Sequence, residues 1–342
     1  MKKILVTGGA GYIGAHSVVE LILSGYEPIV VDNFVYSDGT LLQGIEQITG
    51  HKPAFHKGGC QDRQFVDGVM SQHPGISCIM HFAALKSVKE SVERPLQYYR
   101  NNVDSVLTLL ELMPMHGIKD FVFSSSCTVY GQPDQIPVDE SAPFKPAESP
   151  YGATKQMCEQ ILKDAHKLGF RVVSLRYFNP IGAHPSGEIG EMSFGGPPNY
   201  LVPYIVETAV RIREKLTVFG DDYNTPDGSC IRDYIHVVDI AKAHVKALEY
   251  LDGRPTVGLY DFFNLGTGKG TSVLELINKF MQVTGIDLPY EIGSRRPGDV
   301  EKVYANPQKA NQQLGWTASL SMDDALKHAW AWQQALANKD KK

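Results

Sequence analysis

The chain has 342 residues, 33 Lys and Arg against 38 Asp and Glu for a formal net charge of −5, and 43% hydrophobic residues. That balance belongs to a globular protein and excludes a disordered chain, while the mild acidity argues against holding a polyanion through overall charge. Length alone predicts roughly two domains of about 150 residues each.

Residues 4–6 form the first of five short aliphatic runs; the others are 28–31, 76–80, 121–123 and 172–175. Runs that are apolar on both faces suit buried parallel strands, which crossover helices cover on each side. After the first run comes Thr7-Gly8-Gly9-Ala10-Gly11-Tyr12-Ile13-Gly14, opening a helical stretch with Val18, Val19, Leu21 and Ile22. Glycines such as Gly8, Gly11 and Gly14 allow a tight turn and close approach of the backbone to a pyrophosphate, and a helix N-terminus offers N–H donors. Asp32 ends the second run 18 residues after Gly14 (32 − 14 = 18), where a carboxylate can accept ribose hydroxyls and would repel a 2′-phosphate. Together these predict a dinucleotide site for NAD rather than NADP.

Helical spacing returns with Val103, Val106, Leu107, Leu110 and Leu112, and the fourth aliphatic run leads into Ser124, Ser125 and Ser126. A further helix is predicted after Tyr151, with Ser149 and Pro150 as cap and first-turn residues and Met157, Ile161, Leu162 and Ala165 on its apolar side. Tyr151 and Lys155 are four apart, so phenol and ammonium share a face. A neighbouring cation is expected to pull the tyrosine pKa down from ~10 toward the range of a general base. Ser126 at its strand end can hydrogen-bond the same substrate hydroxyl.

The alternation predicts an α/β fold, a doubly wound parallel sheet of the Rossmann type, over residues 1–180. From Pro180 the texture changes to Gly- and Pro-rich loops over 182–198, then mixed short elements, then a helix from about Ser321 carrying Trp330 and Trp332. This predicts a smaller mixed α/β domain over 181–342, with a segment around 233–265 packed back on the first. The five cysteines, Cys60, Cys78, Cys127, Cys158 and Cys230, are odd in number and form no C-x-x-C pair, so neither a disulfide framework nor a zinc ribbon is expected. The histidines form no H-E-x-x-H or comparable grouping, and no resident metal is expected. With no signal-like segment ahead of Ile4 and no apolar run near the ~18 residues of a membrane span, a cytoplasmic protein is the expectation.

The glycine loop, His81-Phe82-Ala83-Ala84-Leu85-Lys86, Arg176-Tyr177-Phe178-Asn179-Pro180 with Gly182-Ala183-His184-Pro185-Ser186-Gly187, and Arg232-Asp233-Tyr234-Ile235-His236-Val237 carry a closer likeness. With them the chain resembles the extended short-chain dehydrogenase/reductase superfamily and, within it, the UDP-glucose 4-epimerase family, from residue 3 to about 335. The resemblance implies NAD-dependent inversion at C4 of a UDP-sugar through a 4-keto intermediate, in galactose metabolism, by a homodimer. It makes Tyr151 the proton acceptor, Ser126 the group that aligns the hydroxyl, and Lys155 the support for the phenolate and the nicotinamide ribose. It places Tyr12, Ile13, Asp32, Asn33, Phe82, Ala83, Lys86, Asn101, Ser124 and Tyr177 beside the cofactor. Asn179, Asn199, Arg232, Arg296 and Asp299 would hold the UDP portion, with Phe219 near uracil.

By the same resemblance, the position of Val303 lies against the sugar's C2 substituent, where a small residue goes with admitting N-acetylated sugars. Interconversion of UDP-N-acetylglucosamine and UDP-N-acetylgalactosamine is therefore a further expectation. Three positions depart from the family pattern. Gly59 stands where an Asp usually contacts adenine, leaving Gln61 or Asp62 as substitutes; Ala84 replaces a Gly; and Tyr200 replaces the second Asn of Asn-Asn-Leu. A 4,6-dehydratase on the same scaffold would need an acid and base after the serine strand, where this chain reads Cys127-Thr128-Val129-Tyr130. A non-catalytic NAD sensor would not need Ser126, Tyr151 and Lys155 intact.

Overall fold

The structure, a computed structural model, describes residues 1–194, 198, 200–254, 256–296 and 299–339. The first half alternates strand and helix: β1 (Lys3–Thr7), α1 (Tyr12–Leu23), β2 (Glu27–Asp32), α2 (Thr40–Thr49), β3 (Ala54–Lys57), α3 (Arg63–Gln72), β4 (Ile76–His81), α4 (Val88–Glu93), α5 (Pro95–Leu112), β5 (Asp120–Ser126), α6 (Pro150–Ala165) and β6 (Arg171–Tyr177). The predicted five aliphatic runs are β1, β2, β4, β5 and β6, each longer by one to four residues than its apolar centre.

Side-chain alternation along β1 builds both layers of the core. Ile4 and Val6 pack with Val18 and Val19 of α1 on one face. Leu5 points the other way, toward Val106 and Leu109 of α5 and Leu162 of α6. The second half supplies β7 (Asn179–Ile181), α7 (Leu201–Ala209), β8 (Leu216–Phe219), β9 (Ile231–Arg232), β10 (Tyr234–His236), α8 (Val237–Asp252), β11 (Leu259–Leu265), β12 (Thr271–Ser272), α9 (Val273–Thr284), β13 (Tyr290–Gly293), β14 (Lys302–Val303) and α10 (Met322–Lys339).

The main sheet has the order β11-β6-β5-β4-β1-β2-β3, all parallel. The order reverses between β1 and β4, and a doubly wound sheet opens its ligand crevice at such a switch point, beyond the C-terminal strand ends. Residues 237–265 return to this layer. Ile240, Ala243 and Ala247 of α8 join the core on the α1 side, and β11 extends the sheet past β6. The remaining short sheets pair β10 with β7, β9 with β12 and β14, and β8 with β13. They gather with α7, α9 and α10 around Leu276, Ile277, Phe280 and Leu326. Ser272 and Glu275 start α9 with reciprocal backbone bonds, a capping box. Among the described residues no helix is long and apolar enough to cross a membrane.

Candidate active site

Two glycines explain the dinucleotide end of the crevice. Gly8 turns through φ +72°, and a Cβ there would lie 2.6 Å from the Ala83 nitrogen; a Cβ on Gly14 would lie 2.1 Å from the Gly8 carbonyl oxygen. The chain can therefore pass from β1 into α1 only with bare backbone, which leaves the helix N-terminus accessible to phosphate. Gly11 is the N-cap of α1. Phe82 and Ala83, just past β4, both donate their N–H to the Thr7 carbonyl, at 2.9 and 3.1 Å, closing the opposite wall. The Tyr12 hydroxyl donates to the Gly182 carbonyl at 2.6 Å, tying the glycine loop to the second half, while Ile13 packs into the core.

Asp32 is buried and accepts from Ala10 N–H (3.2 Å), Phe34 N–H (2.9 Å) and the Ser37 hydroxyl (2.9 Å). Those bonds fill three of a carboxylate's roughly four acceptor sites and leave room for a ribose hydroxyl. Asn33 is exposed and accepts from Val35 N–H. Phe34 takes a left-handed φ of 61°, unusual for a bulky residue, with its ring stacked 4.9 Å from Phe55. Wild type is expected to copurify with NAD, and Asp32→Ala to lose it and to weaken discrimination against NADP, each charged hydrogen bond contributing about 1.5–3 kcal/mol. Unchanged NAD content and unchanged NADP binding would assign Asp32 to the loop alone.

The catalytic candidates converge where β5 and α6 end and begin. Ser149 caps α6 by accepting from Gly152 N–H at 3.2 Å, and Pro150 occupies the first turn, so Tyr151 and Lys155 stand on successive turns facing β5. The Lys155 ammonium is buried, donates to the Ser124 carbonyl at 2.6 Å, and lies 4.7 Å from the Phe123 ring centroid and 5.9 Å from that of Tyr151. Burial lowers its pKa to about 8, with Cys158 and Glu159 pulling the other way. Tyr177 hydrogen-bonds Ser124, and Ser126 accepts from Thr128 N–H at 3.2 Å.

The tyrosine expected to be acidified is not. Burial pushes the Tyr151 phenol above its ordinary value and the neighbouring Tyr200 adds to this; Ser126 and Lys86 pull it down. The cost of burying the phenolate outweighs the attraction of the nearby hydroxyl and ammonium groups. Lys86 lies 3.2 Å from Glu191 and 4.9 Å from the Tyr200 ring centroid. Asn101 donates to Asn102, which in turn bonds the Leu85 N–H and carbonyl and the Thr154 hydroxyl.

Across the crevice, Arg232, Arg296, Asp299 and Phe219 form one group. Asp299 takes Arg296 at 2.8 Å and stands 3.7 Å from Arg232, and the Arg296 guanidinium lies 5.6 Å from the Phe219 ring. Phe219 itself is 45% exposed, so it is available to a ligand rather than part of the core. Arg232 and Val303 are partners in register, and Val303 is buried beside Val129, Tyr130 and Phe178. Asn179 starts β7 opposite Tyr234. Asn199 lies outside the described residues. Cys127 follows Ser126; burial raises its thiol to about 12 while Arg232 draws it down.

Two positioning residues escaped the sequence reading. Asn102 fastens the 85–87 turn to α5 and α6; its signal was a polar residue that α5 buries on its apolar face. Glu191, half-buried opposite Lys86, sits in a loop whose composition carried no periodic signal.

The sequence family described as the NAD dependent epimerase/dehydratase family matches residues 4–266. The chain belongs to this family. A UDP-glucose 4-epimerase of Bacillus subtilis is 48% identical over 337 residues, covering 98% of each chain, and one from Yersinia enterocolitica is 47% identical over 339. Among solved structures, a UDP-glucose 4-epimerase from Stenotrophomonas maltophila with bound NAD and formylated UDP-arabinopyranose superposes with a TM-score of 0.95 at 43% identity, covering 99% of this chain and 100% of that one. The Bifidobacterium longum enzyme in complex with NAD+ and UDP gives 0.93 at 43% identity, over 98% and 99% of the two chains. The family is NAD-dependent, and the bare-backbone cradle of Gly8 and Gly14 suits that cofactor.

Proposed function

We propose that this chain is a UDP-glucose 4-epimerase, interconverting UDP-glucose and UDP-galactose with a retained NAD. The observation that carries the reading is the meeting of Tyr151 and Ser126 at the dinucleotide crevice, opposite an arginine pair suited to a pyrophosphate. NAD held by the glycine loop and Asp32 would supply the hydride acceptor and donor for C4. Tyr151 takes the 4-hydroxyl proton as that hydride leaves and gives it back after the ketosugar has turned over, so both faces of the carbonyl use one base. Ser126 holds the same oxygen. Lys155 fixes the nicotinamide ribose and adds positive charge behind the phenol. Arg232, Arg296 and Asp299 grip the UDP, which anchors the substrate while the sugar rotates. Conversion of UDP-galactose to UDP-glucose by purified protein without added NAD tests the reading; no conversion, with NAD present in the protein, overturns it.

In this reading residues 1–180 hold the cofactor, with 233–265 joined to them, and 181–342 supply the sugar nucleotide site. The enzyme works as a cytoplasmic homodimer. Exposed Leu96 and Leu107 on α5 and Met157 on α6, two helices packed side by side, favour a second copy there. A monomeric sedimentation coefficient would remove that part.

The sugar pocket should also admit a 2-acetamido group. Exchanging a Tyr for Val303 removes about five side-chain heavy atoms, and acetamide in place of hydroxyl adds about three. Wild type is expected to interconvert the two UDP-N-acetylhexosamines, and Val303→Tyr to suppress that activity while sparing UDP-galactose. Tyr200 is the residue that would defeat this by filling the space. No turnover of UDP-N-acetylgalactosamine by an enzyme active on UDP-galactose would show that it does.

A further inference from the structure

The sheet itself indicates where the base of the dinucleotide lies. Glycine loop, Asp32 and the turn after β3 stand on three neighbouring strands, β1, β2 and β3, each about 4.8 Å from the next. With pyrophosphate at the α1 N-terminus and ribose at Asp32, the base continues outward over the end of β3. That end is built without a side chain: Gly58 donates its N–H to the Asp32 carbonyl at 3.0 Å, and Gly59 accepts from Asp62 N–H at 3.1 Å to form a tight turn. A Cβ on Gly58 would strike the Phe65 ring at 2.4 Å.

The turn folds Gln61 back over Gly59. A Cβ on Gly59 would lie 2.8 Å from the Gln61 Oε1, 3.0 Å from Cδ and 3.0 Å from Nε2, so the carboxamide occupies the space a side chain at 59 would enter. Asp62 is committed elsewhere, capping α3 by accepting from Phe65 N–H at 3.0 Å. Gln61 is exposed, and among the described residues its carboxamide has no hydrogen-bond partner. We propose that Gln61 reads the base of the bound dinucleotide, its carboxamide pairing with the edge farthest from the ribose. On adenine, Oε1 accepts from the 6-amino group and Nε2 donates to N1.

The assignment rests on NAD occupying this crevice, and it has a chemical signature that a carboxylate at position 59 would lack. A carboxamide presents a donor and an acceptor and can turn over by 180°. It therefore pairs equally with hypoxanthine, whose 6-oxo group accepts and whose N1–H donates. A carboxylate only accepts, and it repels the 6-oxo group.

The test equilibrates the purified holoprotein with an equimolar excess of NAD and nicotinamide hypoxanthine dinucleotide. Unbound ligand is removed, and the released dinucleotides are counted by liquid chromatography. Wild type is expected to retain the two within about threefold of each other. Gln61→Ala should lower the affinity for both by roughly 3- to 10-fold, the range of one or two hydrogen bonds. Gly59→Asp, whose added Cβ would have atoms of the flexible Gln61 side chain as its three nearest neighbours, should shift retention toward NAD by about tenfold or more. Wild type preferring NAD as strongly as Gly59→Asp does, or Gln61→Ala binding both like wild type, overturns the assignment. Protein that retains neither dinucleotide would instead overturn the cofactor reading on which the assignment depends.

Discussion

Tyr151→Phe is expected to lower kcat by about 10²–10⁴-fold while leaving UDP affinity and thermal stability near those of the wild type. Only an oxygen is removed, and it belongs to the reacting group rather than to the binding surface. The ring keeps its place on the first turn of α6, held by the Ser149 cap and Pro150. Because the Tyr151 phenol must be ionised to accept the sugar proton and burial raises its pKa, kcat of the wild type is expected to rise with pH as the phenolate forms. UDP affinity by calorimetry and kcat by coupled assay check the two halves separately. A near-normal kcat would place the base elsewhere, and lost UDP binding would mean Tyr151 shapes the pocket.

Glu159→Ala should cost about 3–5 kcal/mol of folding stability, because it strands a buried cation. Arg176 and Glu159 are 3% and 1% exposed and meet through two bonds, at 2.8 and 2.5 Å. Ser125 and Tyr260 donate to the same carboxylate, and the Tyr130 hydroxyl accepts from Arg176 and donates to Asn264. Phe262 lies 4.0 Å from the guanidinium, and water entering the vacated space would replace the anion's hydrogen bonds but not its charge. Removing both charges together, as Glu159→Leu with Arg176→Met, should restore most of the stability, since burying the pair carried its own desolvation cost. Urea unfolding of the two variants and the wild type decides this. A single variant within about 0.5 kcal/mol of wild type would show that the pair is solvated.

How much of this was legible beforehand follows from burial. The five inner strands of the main sheet announced themselves because both faces are covered, which forces runs such as Val172, Val173 and Leu175. The edge strands did not. β3 reads Ala-Phe-His-Lys and is half exposed, and β11 alternates Tyr260 and Phe262 with Asp261, so neither has the continuous apolar signature. The glycine loop and Tyr151-Lys155 were visible because their chemistry dictates spacing along the chain. The acidity of Tyr151 was misjudged because spacing fixes which groups share a face but says nothing about how much water reaches them. Asn102, Glu191 and the posture of Gln61 depend on contacts between distant segments, which no local pattern encodes.

The return of β11 to the sheet has a consequence for biosynthesis. β6 pairs with β5 as soon as residue 177 is available, but its other edge stays open until residue 265 has left the ribosome. The 88 residues between these points (265 − 177 = 88) take roughly 4–18 s at bacterial or eukaryotic translation rates of about 5–20 residues per second. Throughout that interval a nascent chain exposes the unpaired backbone of an aliphatic strand, a template for pairing with a neighbouring nascent chain. Slow codons between 178 and 265 would lengthen the exposure, and truncations ending before β11 should be recovered as aggregates.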